Sequence, residues 1–151
     1  MATIPQIIAL GRVTALLLVS GCALACERQF PYLGHWEGHR DLKGAPGTAP
    51  YIMNTLNVVK LWVHPNGRFD LQDMGMAKQG NISVQGQTAV LIITKIGGKD
   101  VETQPKEMRD NIAQINLKAL GADKISYSDP KSGDPAPIEL KRIATDESGR
   151  P

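Results

Sequence analysis

His35, Glu37 and His39 form the densest group of ligating side chains in this sequence. On a β-strand, residues two apart point to the same face. Two imidazoles and a carboxylate would then share a side and could hold Zn²⁺ or Cu²⁺ with an open coordination position. A rise of ~3.3 Å per residue sets neighbours in the triplet about 6.6 Å apart along the backbone. Neighbours can share one ion at that spacing, whereas His35 and His39 would strain to meet on it. The same residues equally suit a solvated polar face opposite a buried Trp36. His64 is a further imidazole, remote in sequence. Met53, Met74, Met76 and Met108 carry soft thioethers suited to Cu(I), although methionine ordinarily fills gaps in cores. Asp41, Asp70 and Asp73 supply carboxylates of the kind that hydrolysis uses. No G-x-S-x-G occurs, and no serine or cysteine stands at motif spacing from a histidine. These motifs give no basis for an enzyme and imply no cofactor; a secreted hydrolase is the least favoured reading.

The remaining chemistry is at Cys22. Residues Val13 to Val19 are almost wholly apolar and end at small residues and this cysteine. The run is too short to span a bilayer and has the layout of a cleavable export signal. Val19-Ser20-Gly21-Cys22 resembles the lipobox of bacterial lipoproteins. That resemblance implies a signal peptide over 1–21. Cys22 would become the acylated first residue of the mature chain, with palmitate-type chains embedding it in the membrane. More than one chain gives stable anchoring. Ala23, rather than Asp, follows the cysteine, which in Gram-negative lipoproteins permits transfer to the outer membrane. Ala23-Leu24-Ala25 offers an alternative: cleavage before Cys26 would release a secreted or periplasmic product.

The elements that would position any site come next. The 151 residues, with 17 basic against 15 acidic side chains and a net charge of +2, amount to one exported domain. Such mixed, near-neutral charge lacks the basic face of a nucleic-acid binder. The two cysteines, Cys22 and Cys26, both precede the body, so neither a disulfide framework nor a zinc spacing exists. Residues 22–33 read as a tether, 34–144 as the folded domain and 145–151 as a frayed tail. Within the domain the pattern is strands and turns. Gly34 to Asp41 alternates; Asn57 to Val63 and Arg68 to Asp73 flank the tight turn His64-Pro65-Asn66-Gly67. Gly80 to Val84 and Thr88 to Ile96 flank Gln85-Gly86-Gln87. Ile112 to Leu120, Lys124 to Ser128 and Ile138 to Ile143 follow. Tyr51 to Thr55 suggests a short helical piece. Val101 to Asp110, polar and holding Pro105, reads as a loop with room for one helical turn. No helical period is long enough to cross over a sheet, which excludes parallel pairing. About eight consecutive antiparallel strands predict an all-β fold, a small up-and-down barrel. Small residues among the apolar ones of Ala113, Ile115, Leu117 and Ala119 leave room for a cavity.

Gly34-His35-Trp36 opens the first strand as G-x-W. Together with the strand–turn–strand unit over Val58–Asp73 and the closing strand Ile138-Glu139-Leu140-Lys141-Arg142, it resembles the lipocalin-like domains of bacterial lipoproteins. The likeness covers roughly residues 33–143 by order of elements. It implies that Trp36, with Gly34 before it, packs at the closed end of the barrel beneath a terminal basic residue, Arg142 or Lys141, through a cation–π contact. The lipocalin C-terminal helix has no counterpart here. The expectation is a non-enzymatic, membrane-anchored envelope module that holds a small apolar ligand or serves as a scaffold. The alternative is a metal-binding envelope protein that uses His35, Glu37 and His39.

Overall fold

A computed structural model describes residues 31–42, 48–112 and 114–144. The expected export segment, Cys22 and the greater part of the expected tether lie outside the described residues, as do Ala113 and residues 145–151. Nine strands follow in chain order: β1 (Gly34–His39), β2 (Val58–Val63), β3 (Arg68–Asp73), β4 (Met76–Gln85), β5 (Thr88–Ile96), β6 (Lys99–Asp100), β7 (Ile115–Ala119), β8 (Lys124–Ser128) and β9 (Ile138–Ile143). Helix α1 (Pro50–Asn57) precedes β2; a 3-10 turn (Val101–Thr103) and helix α2 (Lys106–Asp110) follow β6.

Every pairing is antiparallel, and β9 returns to pair with β1. Eight strands thus close into an up-and-down barrel, the fold expected from the strand pattern. β6 is a two-residue spur paired to the end of β5 outside the ring. Closure leaves the ring without an exposed edge. Alternation decides what faces inward. Val59, Leu61 and Val63 of β2, Phe69 and Leu71 of β3, Leu91 of β5, Leu117 of β7, Ile125 of β8 and Leu140 of β9 are all buried. Each such side chain contributes about 1.5–3 kcal/mol on leaving water. Among the described residues the core lies between Tyr32 and Leu140, and the ring closes through β1 and β9 within nearly the same span, so a chain that begins after the first 26 residues keeps every contact of that core.

β4 begins four residues earlier than the sequence pattern suggests. Its pairing with β5 slips at Gln79/Gly80, where Thr94 of β5 is the extra, unpaired residue, so the alternation breaks in β5 while β4 keeps its phase. Gly80 is required at this bulge: a Cβ would sit 1.9 Å from the carbonyl oxygen of Ile92.

The two ends of the barrel differ in their connections. Short turns join β2 to β3, β4 to β5 and β7 to β8 at the end where β1 begins. The β1–β2, β5–β7 and β8–β9 connections, the long ones, all lie at the opposite end, here called the mouth. Functional side chains concentrate on such loops because a rigid scaffold positions them.

Candidate functional site

At the closed end Trp36 is 1% exposed, and its Nε1 donates to the carbonyl of Tyr32 at 2.7 Å. Arg142 Cζ lies 4.2 Å from the centre of the Trp36 ring, a cation–π distance. The same guanidinium donates to the carbonyls of Leu33, Pro31 and Ala122, the last two at 3.2 Å. Gly34 has φ +110°, and a Cβ there would press on Arg142 Nη1 at 2.8 Å. Tyr32, assigned from sequence to the tether, is wholly buried instead. Its hydroxyl donates to the Gln87 carbonyl at 2.6 Å and accepts from the Ala119 amide at 3.2 Å. Burial raises the Tyr32 pKa, only partly offset by the Ala119 bond. The interior of the barrel at this end is filled by Trp36 and Tyr32 and tied by these bonds.

His35, Glu37 and His39 do not assemble into a ligand set. His35 faces outward and stacks on Trp62, ring centres 4.4 Å apart, and Trp62 in turn lies 4.1 Å from His64. Glu37 is shared between His39 and Lys60, each at 3.5 Å. Among the described residues no three His, Cys, Asp or Glu side chains gather where a metal ion could sit. The three aspartates separate as well. Asp70 and Asp73 are three apart on β3 and therefore face opposite sides. Asp70 joins the outer face, where His64 Nε2 approaches it at 2.5 Å and Gln79 donates to it at 2.6 Å. Burial alone would raise the Asp70 carboxyl, but these bonds hold it below the ordinary range. Asp41 is exposed.

The mouth holds a site that none of the motifs marks. Asp73 ends β3 in phase with Phe69 and Leu71, so its carboxylate points inward and is fully buried. Three donors converge on it. Arg40 Nη1 is in close contact, Lys78 Nζ lies at 3.0 Å, and the Tyr127 hydroxyl donates at 2.9 Å. Arg40 Nε also meets both oxygens of Asp134, at 3.0 and 2.9 Å, while its Nη2 is buried without a hydrogen-bond partner among the described residues. Lys78 reaches Asp129 at an ion-pair distance of 3.7 Å. Burial alone would raise the Asp73 carboxyl. The hydrogen bond from Arg40 and the charge of Lys78 outweigh it, so Asp73 stays ionised below the usual carboxylate range. Burial alone would likewise lower Arg40, but its bonds to Asp73 and Asp134 hold it firmly protonated. Burial beside the Asp73 charge raises Tyr127 well above its ordinary value and keeps it a neutral donor.

Above this ionic floor opens a pocket of about 430 Å³. Lys78 and Asp129 belong to both floor and pocket. Ile93 and Ile96 of β5 and Met76 of β4 form the barrel wall. Pro105, Met108 and Ile112, from the segment that carries α2, form the other wall, and Glu107 and Asn111 stand among them. The cavity therefore lies between β5 and its covering loop, away from the Ile115–Ala119 strand where the sequence leaves room for one. Met76 and Met108 line this pocket and are half-exposed rather than core gap-fillers. The volume falls in the range of small-molecule sites, which combine apolar walls with a few convergent polar groups.

Arg40, Asp73, Lys78, Tyr127, Asp129 and Asp134 carry no motif, but their phase in the sequence is informative. Arg40 shares the parity of Trp36 and Gly38, and Lys78 that of Gly80, so charged groups stand at positions that the alternation assigns to the interior. No protein-family model matches this chain, and a search of curated proteins finds no match either.

Proposed function

We propose that the chain is a non-enzymatic binding protein of a bacterial envelope, whose barrel mouth takes up a small, mainly apolar ligand. The pocket carries this reading: apolar walls enclose about 430 Å³ over a floor of paired charges, while the rest of the barrel is packed. Eight-stranded barrels are just wide enough to be filled or to hold one small ligand, and here the two conditions divide the barrel lengthwise. The lipobox-like Val19-Ser20-Gly21-Cys22 supports export and lipid attachment at Cys22, to the outer membrane if the cell is Gram-negative. The chain enters the barrel at the closed end, beside Trp36, so an anchored barrel would have its mouth on the side away from its tether.

Titration with the uncharged fluorophore Nile red tests this reading. Binding should be saturable with one site per barrel, with a blue-shifted emission. Ile96→Trp, which extends a wall residue into the pocket, should abolish it. An absence of saturable binding, or equal binding in Ile96→Trp, would refute the reading.

A further inference from the structure

The lining of the mouth pocket says more than that it is apolar: its polar groups are mostly acceptors. We infer that the ligand has an apolar body ending in a cationic amine, an alkylammonium-like amphiphile; this rests on the binding reading above.

The argument is one of charge matching. The ionic floor holds two cations, Arg40 and Lys78, against three carboxylates, Asp73, Asp129 and Asp134. Asp73 takes the short contacts of both cations, and Asp134 takes the Nε side of Arg40. Asp129 is left with Lys78 at 3.7 Å and the backbone N–H of Lys131 at 2.9 Å. The ammonium of Lys131 turns away to the carbonyl of Asp110. Asp129 is thus the carboxylate in excess, its side chain nine-tenths buried, and it faces the pocket. Two more acceptors flank it. Asn111 spends its amide N–H on the carbonyl of Glu107 at 2.9 Å, which leaves its Oδ1 to accept. Glu107 makes no ion pair among the described residues. An ammonium has three donors and no acceptor. It suits this set, whereas a carboxylate would add to the excess. The neighbouring Lys78 does not oppose the amine as a bare charge would, because Asp73 holds it at 3.0 Å. The apolar body then lies along Ile93, Ile96, Met76 and Met108. The overall charge of the chain is +2, so long-range attraction would favour an anion, and a preference for amines would have to come from the pocket itself.

The test is displacement of Nile red from the chain spanning Glu27 to Pro151 by decylamine, decanol and decanoate at neutral pH. The three share a body and differ only in the head. Decylamine should displace the dye at a concentration about tenfold or more below that of decanoate, the scale of one charge contact, with decanol between them. In Asp129→Asn the ratio of decanoate to decylamine displacement, each taken relative to that variant's own Nile red affinity, should lose most of the amine preference. Glu107→Gln, on the exposed rim, should reduce it by less. If Nile red itself fails to bind, the binding reading falls and this inference with it. If the dye binds and decanoate competes as well as decylamine, or Asp129→Asn keeps the full preference, the inference is overturned while the binding reading stands. Should Asp129→Asn fail to fold, the wild-type order of the three competitors and the Glu107→Gln ratio still decide it.

Discussion

Replacing Asp73 by Asn tests the buried ionic floor directly. The two side chains have nearly the same volume, so no cavity forms and the effect is electrostatic. In the native barrel the Asp73 carboxylate is fully buried and receives Arg40, Lys78 and Tyr127. Without its charge, two cations share only Asp134 and the more distant Asp129. Removing one partner of a buried ion pair costs about 3–5 kcal/mol, because the remaining charge is left uncompensated. The Asn oxygen still accepts one bond, which favours the lower part of that range. Against a total stability of about 5–15 kcal/mol, such a loss lowers the melting temperature by roughly 10–30 °C. Urea melts followed by circular dichroism and by tryptophan emission measure it. The acid limb gives a second readout. The Asp73 carboxyl is held below its ordinary value of 3.8 when folded. Its contribution is therefore present above that value and lost as the pH falls through the folded one. Wild type should lose stability below about pH 4, and Asp73→Asn should show a shallower decline. If Asp73→Asn melts within about 1 kcal/mol of wild type, below the smallest cost of an unpaired buried charge, the carboxylate does not hold the floor together and the reasoning fails.

Three further outcomes are expected. Trp36→Ala should cost about 3–5 kcal/mol in denaturant melts, the range for a buried aromatic; a loss near zero would show that the indole does not close the barrel. His35 has a depressed pKa, first from burial and then from the His64 charge, so the unfolded chain protonates first as the pH falls. Its contribution to stability is present above the ordinary value of 6.5 and declines below it; His35→Phe should flatten stability between about pH 5 and 7, and an unchanged slope would count against the buried stack on Trp62. Cys22→Ser should leave an unprocessed precursor without lipid in a globomycin-free labelling experiment with radioactive palmitate, whereas normal label incorporation would contradict acylation at that residue.

The fold was largely legible because alternation and turn chemistry agree along most of the chain. The His64–Gly67 turn, the β-branched run in β5 and the alternation of β9 each fix a strand and its register. β4 was legible only in its second half. Met76-Ala77-Lys78-Gln79 has no apolar alternation, since its buried residue is a lysine. Tyr32 was missed for a related reason. It lies before the first strand, and only the fold brings Gln87 and Ala119, more than 50 residues away, to its hydroxyl. The histidine triplet drew attention because its spacing suits a metal, yet stacking of His35 on Trp62 of the neighbouring strand takes the first imidazole away. The ionic floor gave only one local signal, charged residues at interior parity. Its partners come from the residue after β1, from β3, β4 and β8, and from the β8–β9 loop, and no local pattern predicts that five separate segments will place complementary charges at one end of a barrel.

Methyl spectra of the Glu27–Pro151 chain with and without saturating Nile red test the central claim most directly. The account predicts that signals of Ile93, Ile96, Met76 and Met108 shift together, while those of Val63 and Leu117, deeper in the packed interior, stay in place. No shifts at the mouth, or shifts confined to the outer face around Trp62, would contradict it.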